Sequence, residues 1–208
     1  MLTDIHGIEV GNWSDRKAAT GCTVVLFPDG TVASGEIRGG APATRDFALL
    51  NPSRLVERID AVVLSGGSAY GLAACEGVMS FLEDSGRGFP TSEGKVPIVI
   101  GMSLFDLNEG DPSKRPGMQE GRIAAESASG SKTEVGLIGA GTGATVSKWR
   151  GREQSRPGGL GAASCRSGDL IVAALIAVNA SGDIDDGSVG QSIEEGTFEF
   201  PEIIPFEN

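Results

Sequence analysis

Apolar positions along the chain fall into short runs divided by glycine-rich turns, and the spacing inside each run predicts what it forms. Val24 to Phe27 and Thr31 to Ile37 are β-rich and flank Pro28, Asp29 and Gly30, which predicts a hairpin. A turn-rich stretch, Gly39 to Pro42, follows, and a helix is expected within Asp46 to Arg58. Ile59 to Leu64 reads as a short buried strand. It leads through Ser65, Gly66, Gly67 and Ser68 into Leu72, Cys75, Met79 and Leu82, whose three- and four-residue spacing predicts a helix stopped at Gly86. Val96 to Phe105 is the next strand, Asn108 to Gly117 a polar surface loop, and Glu120 to Ser129 a short helix. Val135 to Ile138 opens a strand that runs into GAGTGATVSK, and Gln154 to Ala163 reads as a flexible glycine-rich link. Leu170 to Val178 is unbroken by any polar residue, the pattern of a strand covered on both faces. From Asp183 the chain turns acidic and irregular. One layered α/β domain over residues 1–208 is expected, with an extended tail.

Composition narrows the function. With 39% hydrophobic residues in 208, a sizeable core is available, and the 32 glycines carry no collagen-like period. A net charge of −11 argues against nucleic acid or an anionic membrane as partner, and 5% aromatic residues leave few platforms for stacking bases. Cys22, Cys75 and Cys165 are widely spaced without a CxxC pair, which suits a reducing compartment and offers no zinc ribbon. His6 is the sole histidine and lies near an N-terminus expected to be mobile, so a histidine-rich metal centre is excluded and any catalytic base is expected to be something other than imidazole. The first residues show no secretory signal, and the longest apolar run is far short of the ~20 residues that span a bilayer. A soluble, cytoplasmic protein is expected.

Few residues stand out as chemistry. Gly139, Gly141 and Gly143 follow a strand, and Gly66, Gly67 and Gly71 join a strand to a helix. A dinucleotide site also needs a helix opening at the loop and an acidic residue about 20 positions on. After Gly139 the chain is short and β-branched, no acidic residue ends a following strand near position 160, and no phosphate-loop motif occurs. Asn179 ends the long apolar run. It is either a turn former leading into Ser181 and Gly182 or an amide donor aimed at a developing oxyanion. Lys148, next to the glycine loop, is either solvated surface or part of a site. Tyr70 is either an ordinary amphipathic helix residue or part of a pocket.

The segments RGGAPATR (Arg38 to Arg45), VVLSGGSAYGLAACEGVMSFLE (Val62 to Glu83), VPIVIGMSLFDL (Val96 to Leu107), GAGTGATVSK (Gly139 to Lys148), GGLGAAS (Gly158 to Ser164) and VAALIAVNASGD (Val172 to Asp183) occur in this order. Together they resemble the DmpA-type L-aminopeptidase/D-esterase, or β-peptidyl aminopeptidase, family. That resemblance implies a four-layer αββα sandwich made by a precursor that cuts itself before a Ser or Thr. The larger α chain is completed by a small β chain whose new N-terminal residue is the nucleophile. On this chain it places the self-cleavage site at Asn208. It matches Asn179 to an asparagine that contacts nucleophile and oxyanion, and Lys148 to a lysine near the nucleophile in some members. Phe105 stands where some members carry a tyrosine, so that hydroxyl is absent here. Phe105 and Tyr70 are the expected substrate-pocket residues.

The expected function is therefore the α chain of an N-terminal-nucleophile aminopeptidase or amidohydrolase acting through a covalent acyl-enzyme, with no metal or organic cofactor. The freed α-amine, with an ordinary pKa of about 7.7–8.0, supplies the base that the histidine shortage otherwise denies. An acyltransferase of the ornithine acetyltransferase type and a non-catalytic small-ligand or nucleotide-binding domain are the alternatives. Expected partners are the β chain, a small amide, peptide or ester substrate, and further αβ units in an oligomer. The substrate itself stays open.

Overall fold

The computed structural model describes residues 1–149, 151–185 and 187–199. In chain order its strands are β1 (Glu9–Asp15), β2 (Thr20–Leu26), β3 (Thr44–Arg45), β4 (Ala61–Ser65), β5 (Phe89–Thr91), β6 (Gly94–Val96), β7 (Val99–Ser103), β8 (Thr145–Val146), β9 (Arg156–Pro157), β10 (Gly159–Ser167) and β11 (Leu170–Val178). Its helices are α1 (Ala74–Asp84), α2 (Met118–Glu126) and α3 (Ser188–Glu194).

β2 is buried along its whole length because it lies inside a five-stranded sheet of order β1-β2-β4-β7-β3 and takes a layer on each face. β4 and β7 run parallel, and the other pairings are antiparallel. The crossover between β4 and β7 carries α1, as a parallel pair requires. One face of the sheet packs Cys22, Val24, Leu26, Val63 and Val99 against Cys75, Val78 and Leu82 of α1 and Ala124 and Ala125 of α2. On the other face Val10 and Val25 meet Leu175 of β11, so the β10–β11 hairpin forms a second β layer. The order is helix, sheet, sheet.

α1 and α2 approach closely because their contact positions are glycines. A Cβ on Gly77 would lie 1.9 Å from the Met118 carbonyl oxygen, and one on Gly121 would lie 1.9 Å from that of Ala74. The layer thickness therefore depends on two missing side chains.

The structure departs from several expectations of the sequence. Thr31 to Ile37 forms no strand. Only Val32 bridges, to Arg58, so the hairpin at Pro28 to Gly30 does not exist. Asp46 to Arg58 holds a single 3₁₀ turn at Phe47–Leu50 in place of a helix. Val135 to Ile138 contributes one bridge, Gly136 to Leu160. Gln154 to Ala163 is not a flexible link, since Gly159 onward is β10, paired residue for residue with β11. The acidic tail is interrupted by α3. The N-terminus is tethered: the Met1 ammonium donates to Asp4 and, at 2.6 Å, to Ser164 Oγ on β10.

The largest departure is β11. Its residues alternate between exposed and half-buried, and Leu170, Val172 and Ile176 are 54–63% exposed. One face meets the first sheet, and nothing among the described residues covers the other. No helix among them is long and apolar enough to cross a membrane.

Gly77→Ala is expected to destabilise the full-length protein by about 1–3 kcal/mol through overpacking, read as a lower midpoint in urea unfolding. An unchanged midpoint would show that the helix pair can slide apart freely.

Candidate active site

Because β4 and β7 are parallel neighbours, their chain exits lie side by side, and both turn sharply there. After β4 the chain runs through Gly67 (φ 82°) and Ser68 (φ 54°), consecutive left-handed residues. The exits are laced together by Leu104 N–H donating to the Ser65 carbonyl at 2.8 Å and Ser68 N–H donating to the Leu104 carbonyl at 2.9 Å. Beneath them Asp106 is 2% exposed. Its carboxylate accepts from Thr20 Oγ1 at 2.8 Å and from Gly67 N–H at 2.7 Å. Burial pushes this carboxyl above its ordinary value, and the two hydrogen bonds oppose the shift.

Asn179 follows β11 and reaches across to this corner. Its Nδ2 donates to the Phe105 carbonyl at 3.0 Å. Its Oδ1 accepts from Thr145 N–H at 3.0 Å and from Lys148 Nζ at 2.8 Å. Both Oδ1 partners are obligatory donors, which fixes the orientation of the amide. The second Nδ2 hydrogen has no partner among the described residues.

Lys148 is held by its own backbone. Ser147, at φ 62°, and Lys148 donate their N–H groups to the carbonyls of Gly182 and Ser181, each at 2.8 Å, so the 145–149 segment lies against the 181–182 turn. Burial pulls the Lys148 ammonium below its ordinary value, Glu109 pulls it back up, and Arg152 pushes it down. Glu109 accepts from Thr145 Oγ1 at 3.3 Å and from Arg152 at 3.2 Å. Beside this lysine a cleft of ≈330 Å³ is lined by Ser147, Gln154, Arg156 and Asp183.

The structure thus brings Asn179, Lys148 and the backbone of Phe105 together. The Phe105 side chain is 51% exposed. Tyr70 is 63% exposed and stands apart from the hydrogen-bonded trio, with the Arg115 guanidinium 4.2 Å over its ring. Asn208 lies outside the described residues. Asp106, Glu109 and Thr145 were not anticipated. The only sequence hint was an acidic residue directly after the Val96 to Phe105 run.

The glycine-loop reading fails on its donors. Gly139 N–H donates to Ser14 Oγ, Ala140 N–H to Thr23 Oγ1, and Gly67 N–H to Asp106, so these groups are spent inside the protein. The two buried thiols are equally unsuited to attack. Burial raises Cys22 and pushes Cys75 up to about 11. Among the described residues no group of three His, Cys, Asp or Glu is placed to hold a metal ion.

Two stacked β layers with helices on one side make a mixed α/β fold similar to that of solved N-terminal-nucleophile hydrolases. The structure of L-aminopeptidase D-Ala-esterase/amidase from Ochrobactrum anthropi, described as a variant of that fold, superposes with a TM-score of 0.65 at 17% identity over 87% of this chain and 53% of that one. A Burkholderia sp. β-aminopeptidase gives 0.66 at 19% identity, over 87% and 52%. The model of peptidase family S58 matches residues 1–199, and the chain belongs to that family. An uncharacterized aminopeptidase of Mycobacterium leprae is 42% identical over 206 residues, 91% of this chain and 55% of that protein. A 6-aminohexanoate-oligomer endohydrolase of Kocuria sp. is 29% identical over 189 residues, 90% and 50%. The chain spans about half the length of the curated relatives it matches.

Lys148 gives a pH test. Its folded pKa lies below the ordinary 10.5, so between the two values the unfolded chain keeps a proton that the folded chain has released, and stability rises with pH through that window. Lys148→Met is expected to flatten this rise in urea melts taken at successive pH values below 10.5. An unchanged slope would place the ammonium in open solvent.

Proposed function

We propose that the chain is the larger part of a self-processed peptidase or amidohydrolase in which a Ser or Thr directly after Asn208 becomes the nucleophile. The observation that carries this reading is the Asn179 amide, fixed on three sides with one N–H left to donate. In turnover the hydroxyl oxygen bonds to the substrate carbonyl carbon, and the carbonyl electron pair moves onto oxygen. Nδ2 of Asn179 donates to that oxyanion without reorganising, which is where a donor of this kind is most effective. The freed α-amine takes the hydroxyl proton and hands it to the leaving nitrogen, whose C–N bond breaks. Water then hydrolyses the ester. Lys148 keeps Oδ1 turned away from the oxyanion and adds positive potential. Self-cleavage begins with the same hydroxyl attack on the Asn208 carbonyl. The bond from that carbonyl carbon to the nucleophile's own nitrogen breaks, the nitrogen takes up the hydroxyl proton and becomes the α-amine, and water hydrolyses the resulting ester.

Two further features support the reading. The outer face of β11, with Leu170, Val172 and Ile176 exposed, suits a sheet that the remainder of a longer polypeptide extends and covers. The relatives are about twice as long as the matched region. The four-layer sandwich and the oligomer of αβ units belong to this proposal, as does a substrate of the amide, peptide or ester class. Phe105 and Tyr70, exposed at neighbouring loops, are proposed as its pocket walls.

Intact mass spectrometry of the purified, untagged full-length protein tests it. The expected result is a 21.3 kDa fragment together with a second one beginning in Ser or Thr. A single uncut chain that turns over amide substrates overturns the proposal.

A further inference from the structure

We propose that Asp106 is a positioning residue for Asn179: its buried carboxylate, bonded to Thr20 and Gly67, anchors the 104–109 segment and so holds the Phe105 carbonyl in the place that fixes the Asn179 amide. The inference rests on the function proposed above and adds a residue that the chemistry there does not use.

Three observations meet at Asp106. First, it is a carboxylate at 2% exposure held by two neutral donors, Thr20 Oγ1 and Gly67 N–H, and no cation among the described residues lies within ion-pair distance. A carboxylate removed from water without a counter-charge lowers stability, which is the sense in which burial raises its pKa, so an apolar side chain would serve packing alone at less cost.

Second, it touches each segment that holds Asn179. It directly follows Phe105, whose carbonyl accepts from Nδ2. Its Cβ lies 2.8 Å from where a side chain on Gly143 would begin, two residues before the Thr145 N–H that donates to Oδ1. Its Oδ2 lies 2.0 Å from the corresponding point on Gly66. Gly66 is therefore fitted around this carboxylate, while Gly143 is fitted against the Asp106 Cβ and the Ala19 carbonyl, whose oxygen lies 1.9 Å from the same point.

Third, the backbone of Asp106 continues the same scaffold. Its carbonyl accepts from Glu109 N–H at 2.9 Å, and the Glu109 carboxylate returns to Thr145 Oγ1. Displacing Asp106 would let the 104–109 segment turn, and the Phe105 carbonyl with it. The amide would then lose the partner that sets its plane.

A double-mutant cycle in the full-length enzyme tests this, with self-cleavage and steady-state turnover read for Asp106→Ala, Asn179→Ala and the pair. Asp106→Ala is expected to lower kcat about tenfold or more with KM within about twofold, and the double variant to be no slower than Asn179→Ala alone. Asp106→Asn, which keeps an acceptor for Gly67 N–H, is expected to restore most of kcat. If Asp106→Ala does not fold, Thr20→Val removes one of the two donors and is held to the same non-additivity. If Asn179→Ala is slow while Asp106→Ala keeps wild-type kcat, or if the two losses multiply, Asp106 serves the fold alone and the inference is overturned. If Asn179→Ala itself turns over within a few-fold of wild type, the proposed function fails first, which is a separate outcome.

Discussion

The amide of Asn179 is the joint on which the candidate site hangs. It gathers the Phe105 carbonyl, the Thr145 N–H and the Lys148 ammonium, which are separated in sequence by 74, 34 and 31 residues from Asn179. A half-covered amide with those three partners has one geometry, because its oxygen can only face the two donors and its nitrogen only the acceptor. Everything else near the strand exits serves that arrangement. The left-handed turn at Gly67 and Ser68 holds the end of β4 against the start of the 104–109 segment. The backbone of Ser147 and Lys148 pins the lysine's loop to the residues that follow Asn179. The result is a rigid donor, and a preorganised N–H is what an oxyanion rewards.

The fold explains why that joint is rigid and also why it opens to one side. The first sheet carries α1 and α2 on one face, close enough for Gly77 and Gly121 to be required, and the β10–β11 hairpin on the other. The hairpin in turn presents an outer row of Leu170, Val172 and Ile176. The candidate site sits where β11 ends, at the rim of this outer face, which nothing among the described residues covers. A polypeptide segment laid across the hairpin would reach Asn179 directly, so covering the apolar row and completing the site are one event in the proposed enzyme.

How much of this could be read from the sequence depended on how locally each feature is encoded. β4, α1 and β7 were legible because Ile59 to Leu64, the Leu72–Cys75–Met79–Leu82 spacing and Val96 to Phe105 are unambiguous apolar patterns. β10 was not, because Gly159, Gly161, Ala162, Ala163 and Ser164 have little intrinsic strand preference. Their conformation comes from pairing with β11. Thr31 to Ile37 shows the converse: β-branched residues without a partner strand stay irregular beyond Val32. β11 was placed correctly, but its cover was misjudged, since an all-apolar run does not say whether its second layer lies in the same segment. Among the residues gathered at the candidate site, Asn179 and Lys148 were singled out by motif position. Asp106 was not, because its meaning lies in Thr20, 86 residues away, and in a backbone N–H that no sequence displays.

In the proposed enzyme the second N–H of Asn179, without a partner among the described residues, faces the oxygen on which charge develops. A crystal structure of the full-length processed enzyme carrying a covalent boronate or phosphonate on its nucleophile tests this most directly. The adduct oxygen is expected at about 2.7–3.1 Å from Asn179 Nδ2, with the bonds to Phe105, Thr145 and Lys148 intact. An adduct whose oxygen is bound by other donors, with the Asn179 amide turned away from it, would show that Asn179 is not the oxyanion donor.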